Sequence, residues 1–63
     1  MRLTERQAAV LEAAARGLCI KRTAKALGLH ETTVRNHRAA ARRKLGAITT
    51  TDAVARALRT GLL

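Results

Sequence analysis

Apolar residues recur at helical spacing in four separate runs, each closed by a glycine. Leu3, Gln7, Val10, Leu11, Ala14 and Leu18 share one helical face, with Gln7 its only polar member, and predict a helix from about Glu5 to Arg16. Thr4 stands at the N-cap, Gln7 three residues later completes a capping box, and Gly17 ends the helix. A second helix is predicted from about Ile20 to Leu27, with Ile20, Thr23, Ala24 and Leu27 inward and Lys21, Arg22 and Lys25 outward. Gly28 closes it, and Leu29 turns back to the core. The third runs from about Glu31 to Leu45: Val34, Ala41 and Leu45 share a face, His37 and Arg38 lie between them, and Gly46 follows. The fourth runs from about Thr50 to Thr60, with Thr49 as N-cap, Asp52 at the capping-box position and Gly61 as stop. Ala53, Val54 and Ala57 are expected to dock on the first helix. The fold class is all-α, four helices in one domain spanning residues 1–63, with no linker, repeat or low-complexity segment.

Residues 20–39, IKRTAKALGLHETTVRNHRA, are the most informative stretch. They read as a helix, a three-residue turn and a second helix. A tight helix-turn-helix needs a small residue at the crossing, here Ala24, and a residue tolerant of positive φ at the turn, here Gly28. It also needs a β-branched apolar anchor on the second helix, here Val34. That second helix carries Arg35, Arg38, Arg42, Arg43 and Lys44 against a single acid, Glu31, which suits the DNA major groove.

Composition narrows the picture. Fourteen of 63 residues are Ala and none is Phe, Tyr, Trp or Pro, so the core is thin and aliphatic and has no room for an enclosed substrate cavity. The net charge is +9 and unevenly placed: residues 1–15 are neutral, residues 16–44 carry nine bases against Glu31, and residues 45–63 net +1. Charge concentrated on the helix-turn-helix points to a polyanion. Cys19 stands alone, so no internal disulfide forms and a reducing compartment fits. No apolar run nears the roughly 18 residues of a membrane span, and no signal peptide is visible, so the expected place is the cytoplasm, at the nucleoid.

The whole chain resembles the DNA-binding domain of LuxR-type (GerE-type) transcriptional regulators. The opening LTERQAAVL matches that family's signature at Leu3, Thr4, Arg6, Val10 and Leu11, and Gly17 and Ala24 match the segment that follows. Thr33 to His37, TVRNH, matches Thr-Val-Lys-x-His, and Lys44 to Gly46 and the closing Gly-Leu-Leu also match. The chain departs from the pattern at Gln7 and Ala9 in place of Glu, at Cys19 and His30 in place of Ser, at Ala40 and Ala41 in place of Asn-Ile, and at Thr50 in place of Arg.

By position, the resemblance implies base reading by Arg35, Asn36 and Ala39. Arg reaches guanine O6 and N7 together, Asn reaches adenine N6 and N7, and Ala reaches only a thymine methyl. Phosphate contacts are expected from Lys21, Arg22, Lys25, Thr32, Thr33, Arg38, Arg42, Arg43 and Lys44, with the alternative that Arg43 or Lys44 serves the last carbonyls of its own helix. His37 is characteristic of the family and reads as structural. Neither His30 nor Cys19 lies at a zinc-ligand spacing, so no metal and no cofactor is expected. Cys19 stands where a Ser would cap the second helix, and a redox role would lack a resolving partner. On the last helix Ala55, Leu58, Arg59 and Leu62 form a second stripe, read as a homodimer contact, since one short readout needs a second half-site to be specific. The alternative places Leu58 in the core and the rest at the surface.

The leading expectation is thus a dimeric, sequence-specific regulator of transcription that binds double-stranded DNA. Because the chain begins at Met1 directly on the motif, it is expected to be a free-standing regulator or an excised output domain, without the receiver or sensor that often precedes such a module. A promoter-contact module like sigma-factor region 4, partnered by RNA polymerase, shares the helix-turn-helix but not the LTERQ opening or the TVRNH–KLG spacing. Against a basic amphipathic peptide acting on anionic membranes stand the four capped helices joined by Gly turns and the lack of any aromatic anchor in this chain. An enzyme is least expected: there are no paired carboxylates, activated nucleophile or metal set.

Overall fold

The computed structural model describes residues 2–63, which form four helices: α1 (Glu5–Ala15), α2 (Ile20–Leu27), α3 (Glu31–Lys44) and α4 (Thr50–Arg59). The bounds of α2 match the sequence expectation. The other three stop one residue early, where the last turn tightens; the Arg16 N–H, for example, is shared between the Glu12 and Ala13 carbonyls.

α1 starts on a complete capping box. Thr4 Oγ1 accepts from the Gln7 N–H and Gln7 Oε1 accepts from the Thr4 N–H, both at 3.1 Å. This explains the polar member of an otherwise apolar stripe: Gln7 is buried and its amide oxygen accepts from the Thr4 N–H and from Lys44 Nζ. α4 keeps half of the device. Thr49 Oγ1 accepts from the Asp52 N–H at 3.0 Å, but the short Asp52 side chain accepts from the Ile48 N–H at 3.2 Å. Cys19 and His30 stand at the N-caps of α2 and α3, and neither side chain makes a capping bond.

All four helices end alike. A six-to-one bond runs from the residue after each glycine back into the last turn: Leu18 to Ala13 at 3.1 Å, and Leu29 to Ala24, Ala47 to Arg42 and Leu62 to Ala57 at 2.9 Å. The donor is apolar each time, and at Leu29, Ala47 and Leu62 the turn brings the chain back to the core. At Gly28, between α2 and α3, the backbone is left-handed (φ 67°, ψ 35°), where a Cβ would crowd the following carbonyl.

The core has two parts, both built on α3. Val34 packs with Val10 and Ala24, flanked by Ile20, Leu27 and Leu29. Ala41 and Leu45 pack with Leu11, Ala47, Ala53 and Ala57, flanked by Leu3, Val54, Leu62 and Leu63. Two stripe assignments shift: Ala13 is buried while Ala14 and Leu18 are only half-buried, and Val54 sits at the core edge. Thr23 is fully buried with its hydroxyl lacking a partner among the described residues.

Two stability outcomes follow. Gln7→Leu raises local hydrophobicity yet removes acceptors from the Thr4 N–H and Lys44, so urea unfolding should show a loss of about 1–3 kcal/mol. Equal or greater stability would mean that these bonds contribute nothing. Gly28→Ala should lower stability by about 1–2 kcal/mol, about 4–8 °C in Tm for each kcal/mol; an unchanged melt would refute the strain.

Candidate nucleic-acid interface

Burying Val34, Ala41 and Leu45 forces the opposite side of α3 into solvent. Thr32, Arg35 or Asn36, Ala39 and Arg43 follow one another there at spacings of three and four residues, with Arg35 and Asn36 adjacent. All are exposed except Ala39, which is half-buried. Over 14 residues α3 extends about 20 Å, and its outward side is thus one convex polar ridge. Arg35 Nη2 lies 3.8 Å from Glu31 Oε1, with both side chains about half exposed. Such a pair holds Arg35 weakly and releases it readily.

The cations expected to grip phosphate divide into two groups. Lys21, Arg22 and Lys25 are exposed on the outer side of α2, beside Leu18, Cys19 and Ala26 in a shallow groove, and Arg43 is exposed at the end of the ridge. Arg38 and Arg42, half-buried, and Lys44, exposed, lie on the flanks of α3 and bond to the protein. Arg38 Nη2 donates to the Leu18 carbonyl at 3.1 Å, and Arg42 Nη1 donates to the Ala47 carbonyl at 3.0 Å. Lys44 Nζ donates to Gln7 Oε1 at 2.8 Å and to the Arg2 carbonyl at 3.2 Å. Thr32 lies on the ridge, and Thr33 sits half-buried beside it. His37 is half-buried on the flank. Among the described residues no group of His, Cys, Asp or Glu is arranged to hold a metal ion.

On α4, Leu58 is 58% exposed rather than in the core, which removes the alternative that placed it there. Arg59 is exposed, Ala55 is half-buried, and Leu62 packs at the edge of the core part around Ala41 and Leu45. Sequence reasoning did not single out Ile48, which is 83% exposed in the α3–α4 turn, nor Arg56. Arg56 Nε donates to Asp52 Oδ2 at 3.1 Å and its Nη1 to the Leu45 carbonyl at 3.4 Å. The signal for Arg56 was present as the Asp52–Arg56 spacing of four, which pairs on any helix. The destination of its second donor depended on tertiary structure.

An exposed cationic ridge on the second helix of a helix-turn-helix is a frame shared by several kinds of DNA binder. The model for bacterial regulatory proteins of the luxR family (GerE) matches residues 1–57. The chain belongs to the luxR family. Its helix-turn-helix is that of a DNA-binding transcription regulator. A comparison with curated proteins gives no match to an individual luxR-family member or any other protein. The family match reaches through the α2–α3 motif and most of α4, and ends before Leu58, Arg59 and Leu62. None of the helices is long and apolar enough to cross a membrane, among the described residues.

Because the ridge residues of this luxR-family helix make few intramolecular contacts, Arg35→Ala and Asn36→Ala should each leave folding stability within about 0.5 kcal/mol of the parent. Thermal melts check this, and a loss above about 1 kcal/mol would mean the ridge belongs to the fold rather than to a ligand.

Proposed function

We propose that α3 enters the DNA major groove, with Arg35 and Asn36 reading base edges and Ala39 resting against a thymine methyl. The observation that carries this reading is the ridge from Thr32 to Arg43, exposed except at the half-buried Ala39, on the helix whose other side is committed to the core. Lys21, Arg22, Lys25, Thr32, Thr33 and Arg43 hold phosphates on either side and set the register. The N-termini of α2 and α3 support this, since their leading N–H groups have no side-chain cap and suit phosphate oxygens. Residues 1–63 act as one unit in this reading. Two copies pair through α4, with Leu58 at the centre of a patch bordered by Ala55, Arg59 and Leu62. Pairing doubles a readout that is short in each copy.

Selection from a random duplex library at near-physiological salt tests the reading. Two inverted half-sites at fixed spacing are expected. Leu58→Asp should reduce the enriched site to one half-site. Arg35→Ala should relax the preference at one base pair, by about 1–3 kcal/mol of discrimination. Enrichment of nothing by the wild-type protein would overturn sequence-specific binding, and enrichment only when RNA polymerase is present would favour a sigma-like promoter contact instead.

A further inference from the structure

Arg38, Arg42 and Lys44 look, by charge and spacing, like three more phosphate contacts. Their side chains reach three different segments of the protein. Arg38 reaches the α1–α2 corner at the Leu18 carbonyl, 3.1 Å away, and its Nε is buried without a partner among the described residues. Arg42 reaches forward past the end of its helix to the Ala47 carbonyl at 3.0 Å. Lys44 reaches the segment before α1, with its ammonium 2.8 Å from Gln7 Oε1 and 3.2 Å from the Arg2 carbonyl. Gln7 Oε1 also receives the Thr4 N–H, so Lys44 is bonded into the capping box of α1.

We propose that Arg38, Arg42 and Lys44 are positioning residues that mount α3 on the rest of the fold and set the angle at which its ridge meets the groove, and that they do not clamp phosphates. The inference rests on the reading of α3 as the recognition helix. The physical need comes from the core. Four of the six buried residues under the C-terminal half of α3 are alanines, and methyl groups resist rotation and sliding of a helix poorly. Directional, charge-assisted bonds to carbonyls of non-helical segments supply the missing orientation. Each carbonyl would lose its partner if the cation left for DNA. A small error in helix placement then damages base contacts, which need close geometry, far more than it damages diffuse attraction to the backbone.

The consequence is readable in salt. Each phosphate neutralised contributes about 0.9 to the slope of log affinity against log salt. A mounted cation contributes nothing to that slope and acts on specificity instead. The test is fluorescence-anisotropy binding of Arg38→Gln and, as a reference, Arg43→Gln, each to the library-selected duplex and to a random duplex over a series of salt concentrations. Arg38→Gln should lose roughly tenfold or more on the selected duplex, stay within about twofold on the random one, and keep the wild-type slope. Arg43→Gln should weaken both duplexes and lower the slope by about one. Equal losses on both duplexes with a reduced slope for Arg38→Gln would make it a phosphate clamp and overturn the proposal. A lower melting temperature with an unchanged ratio between the two duplexes would make it merely structural, which also overturns it. Should Arg38→Gln fail to fold, Lys44→Met keeps the aliphatic stem and is read by the same criteria. If the wild-type protein prefers no duplex, the recognition-helix reading itself falls, and the slope on random duplex still decides whether Arg38 holds phosphate.

Discussion

The inner side of α3 is the contact on which the rest of the molecule depends. Val34 joins it to α1 and α2, and Ala41 and Leu45 join it to α1 and α4. With those three positions committed inward, helical geometry leaves no freedom about what faces outward. The ridge from Thr32 to Arg43 is a by-product of core packing, and that is how so small a chain presents a row of outward polar side chains on a helix anchored from behind. The anchoring has a local source too. α3 begins just after the left-handed Gly28 and ends in a turn held by Arg42, Arg56 and Asp52.

Concentrating positive charge on such a slender core has a cost. A chain of 63 residues is worth about 3–9 kcal/mol of stability at the usual 0.05–0.15 per residue. Nine bases against one acid between residues 16 and 44 repel one another in the free protein. DNA would neutralise that repulsion, so binding and folding reinforce each other. Two of the four anions lie near the ends of α3. Asp52 accepts from Arg56 and the Ile48 N–H, fixing the α3–α4 turn, and Glu31 lies beside Arg35 at the start of the ridge.

Much of the fold was legible because its signals are local. Thr4 with Gln7, Thr49, and the four glycines mark helix ends through bonds spanning three to five residues, and the α2 bounds came out to the residue. The inward positions Val34, Ala41 and Leu45 followed from periodicity alone. Signals of the wrong kind misled only slightly. Ala13 and Ala14 are chemically identical, and nothing but the crossing angle of α1 decides which is buried. Cys19 and His30 occupy cap positions by spacing, yet lack the oxygen that accepts a backbone N–H. The interface was legible in part. The ridge is periodic and so could be read, but the ends of Arg38, Arg42, Lys44 and Arg56 lie several rotatable bonds from the backbone. Their partners, Leu18, Ala47, Gln7 with Arg2, and Leu45, come close only once the helices have packed.

The outward ridge of α3 is the surface we propose to meet DNA. Backbone amide chemical-shift mapping by NMR, adding a library-selected duplex to isotope-labelled protein, tests it most directly. The largest shifts are expected on Thr32, Arg35, Asn36, Ala39 and Arg43, with a weaker set at Lys21, Arg22 and Lys25. Shifts centred on α4 or on α1, with the α3 ridge unmoved, would contradict it.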